Sequence, residues 1–329
     1  MPVATQFELL DLRQFSARQL RPLLEAEADV WQEKLRWDYR SSTELLLQYL
    51  DSHVLPGFVA LDRGKVAGYT FCVYEGSKAV VGDAFSLTAS PEQSQQMTDA
   101  LLRRLLEVLL HSSTIGRVES QLLLYETGQI ESSFLDAGFT QHQRLFMELD
   151  FERSTTPFRR GSPIVDMDLI PWSSLYYQAA AELIHSAYQH HVDAEINDQY
   201  CSLHGSLRFL HNIVRFPGCG VFEEHQSWLL RERRSGRLAG MILCSRVAED
   251  VAHITQLCVA PSYRGRGLGR TLLYHAAENL RRTGTAAITL TVTESNRQAV
   301  TLYEDAGFFI RHRFDAMVLS RSSEFWMRG

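Results

Sequence analysis

Cysteine is scarce: it occurs five times in 329 residues, at Cys72, Cys201, Cys219, Cys244 and Cys258, and never as C-x-x-C. An odd, scattered set supports neither a disulfide framework nor a zinc knuckle, so reduced, mostly packed thiols in a cytoplasmic protein are expected. No apolar run approaches the roughly 18 residues a membrane helix needs. The opening MPVATQFELLDLRQF lacks a basic segment followed by an apolar one, so neither export nor a membrane anchor is expected. Positive charge is short overall. With 33 Lys and Arg against 39 Asp and Glu, the net charge of −6 argues against general nucleic-acid binding, which leans on phosphate neutralisation. G-x-S-x-G, H-E-x-x-H and low-complexity tracts are missing too. His190-His191 with Asp193 lacks the spacing or cysteine partners of a metal centre, so no metal is expected.

What is present is ordinary in bulk and unusual in detail. Hydrophobic residues at 45%, aromatics at 10% and charged residues at 22% suit two globular cores, and the length suits two domains. Within 251 to 285 the charge reverses: Arg264, Arg266, Arg270, Arg281 and Arg282 stand against Glu278. A small anion fits such a place.

The chain is also written twice. SLTASPEQSQQMTDALLR (86 to 103) aligns with QLCVAPSYRGRGLGRTLL (256 to 273), matching Leu87, Pro91 and Leu102 to Leu257, Pro261 and Leu272. Pro91 precedes one DAGF tetrapeptide by 45 residues and Pro261 precedes the other by 44. Between these markers each half offers a helical pattern, a β-rich run (VESQLLLYE, 118 to 126; AAITLTVT, 286 to 293) and a second helix. Upstream, each half has two β-rich runs around a charged turn, preceded by helical stretches near 17 to 52 and 173 to 215. Each unit therefore reads β-α-α-β-β-β-α-β-α-β with a mixed sheet. ERSTTPFRRGS (152 to 162) is the expected linker, giving domains over 1–155 and 162–329. The terminal SSEFWMRG offers Trp326 for packing on a sheet or a partner.

Only the second copy carries Arg264-Gly265-Arg266-Gly267-Leu268-Gly269-Arg270. Glycines after a β-run and before a helix permit turns and close approaches that a Cβ blocks. Turn amides and the unpaired N–H groups of a helix's first turn then converge on an anion, and arginines add charge-assisted bonds. A pyrophosphate suits this combination. The run matches neither G-K-[ST] nor G-x-G-x-x-G.

These residues resemble the GCN5-related N-acetyltransferases (GNAT). That family's loop pattern [Q/R]-x-x-G-x-[G/A] is followed here by Arg264 to Gly269, after Leu257-Cys258-Val259-Ala260-Pro261. The family's later motif, an Asn followed by L-Y-x-x-x-G-F, is similar to Asn296 through Leu302-Tyr303 to Gly307-Phe308. The full resemblance covers about 163 to 320, while the first half resembles the fold without the loop. It implies an α/β (α+β) protein of two tandem GNAT-like domains. Each has a mixed, mostly antiparallel sheet flanked by helices, with its fourth and fifth strands splayed.

The resemblance further implies acetyl-CoA as cosubstrate. The amides from Arg266 to Arg270 would hold its pyrophosphate, the backbone of Leu257 and Val259 its pantetheine arm, and Asn296 would bond the pantetheine. In the first copy Gln95, Met97 and Asp99 replace the glycines, so no acetyl-CoA is expected there. Tyr303 would give a proton to the departing thiolate, and a backbone N–H near Cys258 or Val259 would meet the oxyanion. His253, eleven residues before Arg264, resembles the family's general base, acting directly or through a water; Glu294 and Glu223 are alternatives. Strand alternation sets His253, Thr255, Leu257 and Val259 on one face. Cys258 reads as packing rather than as a nucleophile.

The implied acceptor is a primary amine of a small molecule, or a protein N-terminus or lysine. Asp193, Glu195 and Asp198 are placed to attract a cationic amine, with Tyr188 and Tyr200 as lining. A non-catalytic acyl-CoA sensor and a tandem-fold peptidyl transferase are rivals; the proton chemistry of Tyr303 and the intact coenzyme loop favour the N-acetyltransferase. Walling off the acceptor, stiffening the active half and homodimerisation stay open for the first half.

Overall fold

A computed structural model describes residues 7–154, 166–216 and 218–321. Part of the expected linker, and Trp326, lie outside the described residues. In chain order the first half forms β1 (Glu8–Asp11), α1 (Ala17–Leu35), α2 (Arg40–Asp51), β2 (Gly57–Asp62), β3 (Lys65–Glu75), β4 (Lys78–Ser86), α3 (Pro91–His111), β5 (Arg117–Gln121), α4 (Glu131–Leu135) and β6 (Thr140–Asp150). The second half forms β7 (Met167–Pro171), α5 (Tyr177–Tyr188), α6 (Val192–Ile196), α7 (Leu203–Arg215), β8 (Val221–Phe222), β9 (Trp228–Glu232), β10 (Leu238–Ala248) and β11 (Val251–Val259). It continues with α8 (Leu268–Arg282), β12 (Ala287–Thr293), α9 (Arg297–Asp305) and β13 (Phe309–Ser320). The first half follows the order of elements expected from the sequence, and the second half adds a third helix and the short strand β8 to it. Among the described residues no helix is long and apolar enough to cross a membrane.

The chain divides into two compact units whose limits differ from the sequence boundary. The first takes residues to Gln143 together with those from Arg313 onward, and the second takes Arg144–His312. In the first unit β13 pairs antiparallel with β5, from Ala316 opposite Gln121 to Ser320 opposite Arg117. In the second, residues 144–150 of β6 pair antiparallel with β12, from Arg144 opposite Thr293 to Asp150 opposite Ala287. Each half thus supplies the last strand of the other unit's sheet. Alternation then sends Leu145, Met147 and Leu149 into a core with Ile288, Leu290, Val292 and the α8 residues Leu272, Leu273 and Ala276.

Both sheets carry the same irregularity. Leu243 of β10 faces Gln256 while Cys244 faces Ile254, so Thr255 is an extra residue in β11. In the first unit Phe71 faces Asp83 and Cys72 faces Val81, making Gly82 the extra residue of β4. Parallel pairing of β11 with β12 runs from Val251/Ala287 to Ile254/Leu290, and that of β4 with β5 from Lys78/Arg117 to Val81/Ser120. Both ladders therefore end at the bulge, and the strands separate.

In the first unit this opening is filled. The Tyr125 phenol donates to the Ala84 carbonyl at 2.9 Å, and Met97 and Tyr125 are buried. Ser90 caps α3 and Pro91 opens it, so Gln95, Met97 and Asp99 sit inside a helix and not on a loop. Gln95 and Gln129 bond each other, at 2.9 Å from Gln129 Nε2 to Gln95 Oε1.

Deeper in this unit Glu27 and Asp83 are both buried. Tyr69 donates to Glu27 Oε2 at 2.6 Å, and the Ala84 amide donates to Asp83 Oδ1 at 2.8 Å. Burial is the largest cause pushing both carboxyls above the usual range, and their proximity pushes Glu27 further. Both bind protons more tightly folded than unfolded. The stability they permit is full below the ordinary carboxylate range and falls as pH rises through and above it.

Two outcomes are expected. A 162–329 fragment lacks β6 and loses the burial of Leu145, Met147 and Leu149, about 5 to 9 kcal/mol in all. It should show no cooperative denaturant transition, whereas 144–312 should show one. Glu27→Gln should raise the stability of the full chain at pH 8 by about 1 to 3 kcal/mol and change it little at pH 4, read from urea midpoints.

Candidate active site

In the second unit the separation of β11 from β12 opens a cavity of about 380 Å³. Leu257, Cys258 and Val259 of β11 line one wall; Arg264, Gly265, Gly267, Leu268, Gly269 and Arg270 line one end. Asn296 just ahead of α9 and Tyr303 within it, with Tyr188 and His191, are also among the lining residues. Two helix N-termini face this space. Gly267 precedes α8 and Asn296 caps α9, accepting from the Ala299 amide at 3.3 Å. The first i→i−4 bond of α8 runs from the Thr271 amide to the Gly267 carbonyl at 3.1 Å. Amides 268 to 270 precede it and have no partner inside the helix, so the positive end of the dipole meets the cavity.

The loop's glycines have separate roles. Gly265 and Gly267 hold φ of 76° and 75°, the left-handed region, with open space where a Cβ would stand. Backbone conformation is what requires them. Gly269 lies in the helix's first turn, where a Cβ would meet Leu302 at 3.5 Å, an ordinary contact.

The arginines are less available than the sequence suggests. Arg264 donates to the carbonyls of Ala187 and Val259, tying the loop to the end of α5. Arg270 pairs with Asp305 at 2.6 Å. Arg266 does not line the cavity; it lies over the Tyr263 ring at 5.3 Å and donates to the Ser262 carbonyl. Backbone amides and the helix dipole are left as the main anion-binding elements.

A profile of the Acetyltransferase (GNAT) family matches residues 179–308, the stretch holding this cavity. Over this stretch the chain is similar to that family. A [ribosomal protein bS18]-alanine N-acetyltransferase of Escherichia coli is 37% identical over 75 residues, 23% of this chain and 50% of that protein. The chain thus spans about half that relative's length. A GCN5-related N-acetyltransferase from Sphaerobacter thermophilus superposes with TM-score 0.61 at 15% identity, covering 95% of each chain. A tandem GNAT protein from the clavulanic acid biosynthesis pathway gives 0.59 at 13%, covering 96% of this chain and 98% of that one. At such identities these two show the fold.

Within this GNAT fold the bulge at Thr255 changes the face of His253. Ala252, Ile254, Leu257 and Val259 share the α8 side, whereas Cys258 joins the core against α5 and α7. The expected alternation from His253 to Val259 is therefore broken. His253 is buried, stacks on Phe146 at 5.9 Å, and sets Nδ1 2.9 Å from Thr289 Oγ1. Burial pulls its imidazole down to about 3, and it does not line the cavity. Neither do Glu223, paired with Arg246 at 3.2 Å, and Glu294.

Other expected residues do converge. Tyr303 is buried at the cavity wall and burial raises its phenol well above the usual range, so it stays protonated. Burial pushes the Cys258 thiol up to about 12, which leaves it a wall and not a nucleophile. Asp193 is not exposed to an incoming amine. Its carboxylate accepts from the Thr293 hydroxyl and lies 3.5 Å from both Arg144 and His191. Tyr188 and Tyr200 stack at 4.2 Å. Sequence reading missed Arg144, which belongs to the other half, and gave His191 no role beside Asp193.

The glycines separate under test. Gly267→Ala should cost about 1 to 2 kcal/mol of stability, the scale for a left-handed non-glycine residue, while Gly269→Ala should gain up to about 1 kcal/mol from helix propensity. Chemical denaturation checks both signs.

Proposed function

We propose that the second unit is an acetyl-CoA-dependent N-acetyltransferase acting on a primary amine of a small molecule, or on a protein N-terminus or lysine, by direct attack. One observation carries this reading: a single cavity joins the N-terminus of α8 at one end to the buried, protonated Tyr303. Between them lies the β11 edge from Leu257 to Val259, beyond its pairing with β12. Bound acetyl-CoA supplies an acetyl group already activated as a thioester.

The chain's own groups do the rest. Amides 267 to 270 bind the pyrophosphate, with the α8 dipole in support. Leu257 and Val259 offer main-chain groups to an extended arm as an added strand, and Asn296 adds a side-chain bond to it. A β11 amide near Cys258 or Val259 faces the developing oxyanion. Tyr303 holds its proton at the phenol oxygen until a thiolate needs it.

The first unit lacks these means. α3 starts at Pro91, so amides that form a loop in the second unit fall within or just ahead of a helix there, and Tyr125 occupies the Ala84 carbonyl on the strand edge. One coenzyme per chain is the consequence.

Calorimetry should therefore give one acetyl-CoA site per chain, and thiol release with an amine panel should show turnover. Tyr303→Phe should lower kcat about 100-fold or more with acetyl-CoA affinity within about twofold. Tight binding without turnover on any amine would favour a sensor, and two equal sites would overturn the account of the first unit.

A further inference from the structure

Among the described residues two arginines line the cavity, Arg264 and Arg270, and their donors are spent differently. Arg264 gives Nε to the Val259 carbonyl and Nη2 to the Ala187 carbonyl, so its charge serves the loop. Arg270 stands in the first turn of α8, and its Nη2 donates to Asp305 Oδ2 at 2.6 Å, at the end of α9. That carboxylate is its one partner among the described residues. The rest of its N–H fork is unspent.

The pair is open to water. Side-chain exposure is 38% for Arg270 and 50% for Asp305, and an ion pair so exposed adds little to stability. Its effect is to fix where the positive charge stands. A guanidinium tethered through one nitrogen keeps another edge for an oxyanion, and phosphate is a group that such a planar fork holds well. Nothing nearby duplicates it. Gln298, Thr301 and Asp305, which α9 adds to the lining, carry no positive charge, and Arg266 lies over the Tyr263 ring outside the lining.

The cavity therefore offers two anion-binding elements of different kinds. One is the set of α8 amides without helix partners, which suits a diphosphate. The other is the Arg270 fork. CoA carries two separate phosphate groups, the diphosphate and a monophosphate on the ribose 3′-oxygen, whereas its dephospho form carries the diphosphate alone.

The first unit keeps such an ion pair and loses its placement. Asp136 of the earlier DAGF tetrapeptide lies 3.1 Å from Arg103, and Ala100 stands at the position aligned with Arg270. Arg103 is about a helical turn further along α3, so the charge has left the start of the helix together with the glycine turn.

We propose that Arg270, held at the cavity by Asp305, binds the 3′-phosphate of the coenzyme and selects CoA over dephospho-CoA. The contact is a charge-assisted hydrogen bond, and no covalent bond changes. The inference rests on the coenzyme reading of the cavity and adds to it the recognition of the nucleotide end.

Calorimetry of the full chain with CoA and with 3′-dephospho-CoA tests it without any acceptor amine. CoA should bind about 10-fold or more tightly, the scale of a hydrogen bond to a charged group. Arg270→Gln should weaken CoA by about that factor and move dephospho-CoA by less than about twofold, so that the preference disappears. Arg281→Gln removes the same charge from the other end of α8 and should leave the preference intact. Equal affinity of the unaltered chain for the two ligands overturns the 3′-phosphate site and leaves acetyl transfer standing. A loss shared equally by both ligands in Arg270→Gln overturns the assignment by putting Arg270 on the diphosphate, and a preference that survives the substitution overturns it as well. If the unaltered chain binds neither ligand, the coenzyme reading falls and this inference falls with it.

Discussion

The separation of β11 from β12 after Ile254 is the constraint on which the rest of the second unit depends. One extra residue, Thr255, ends the parallel ladder, so Leu257 to Val259 keep their β10 partners on one edge and lose β12 on the other. The same step reverses the side-chain phase, sending His253 to the face of Cys258 and away from that of Leu257. Cavity, strand edge and the burial of His253 are therefore one backbone event seen at three places.

The first unit shows that this event does not by itself make a site. Gly82 repeats the bulge, and the Phe71 ring occupies the place its side chain would take, 2.2 Å from an ideal Cβ. There the strand edge is satisfied from within by Tyr125, and the anion-binding turn is replaced by helix capped at Ser90. In α3 the residues equivalent to 266–270 lie beyond the first i→i−4 bond, from the Ser94 amide to the Ser90 carbonyl, whereas α8 begins at a left-handed glycine without a side-chain cap. The difference between the units thus lies in where a helix begins. Like charge from Asp99 is secondary, since that carboxyl is bonded by Gln95 at 3.1 Å inside the helix.

Much of this was legible in the sequence. The doubled order of elements, the glycine turn and the convergence of Asn296 and Tyr303 follow from local spacing, because turn chemistry and helical period are properties of short segments. Three features were not legible. A bulge is one residue in a β-run and leaves the composition unchanged, so the face of His253 was misread. The arginines of the loop find partners far along the chain, Ala187 and Asp305, which no motif encodes. The exchange of last strands is invisible because a strand's side-chain alternation specifies a face without naming a neighbour.

That exchange also bears on why a half without the coenzyme loop accompanies one that has it. Residues 144–150 belong by sequence to the first half and by packing to the second unit, where Leu145, Met147 and Leu149 enter the core beneath α8. On the opposite face the same strand sends Arg144 to Asp193 and Thr291, and Glu148 to Arg311 at 2.8 Å. Arg144 thereby helps fix the carboxylate beside His191. A residue of the first half reaches the cavity's surroundings through a strand, and a strand keeps its register only while its hydrophobic face is buried. The geometry around His191 therefore depends on a segment that the coenzyme motifs of the second half do not contain.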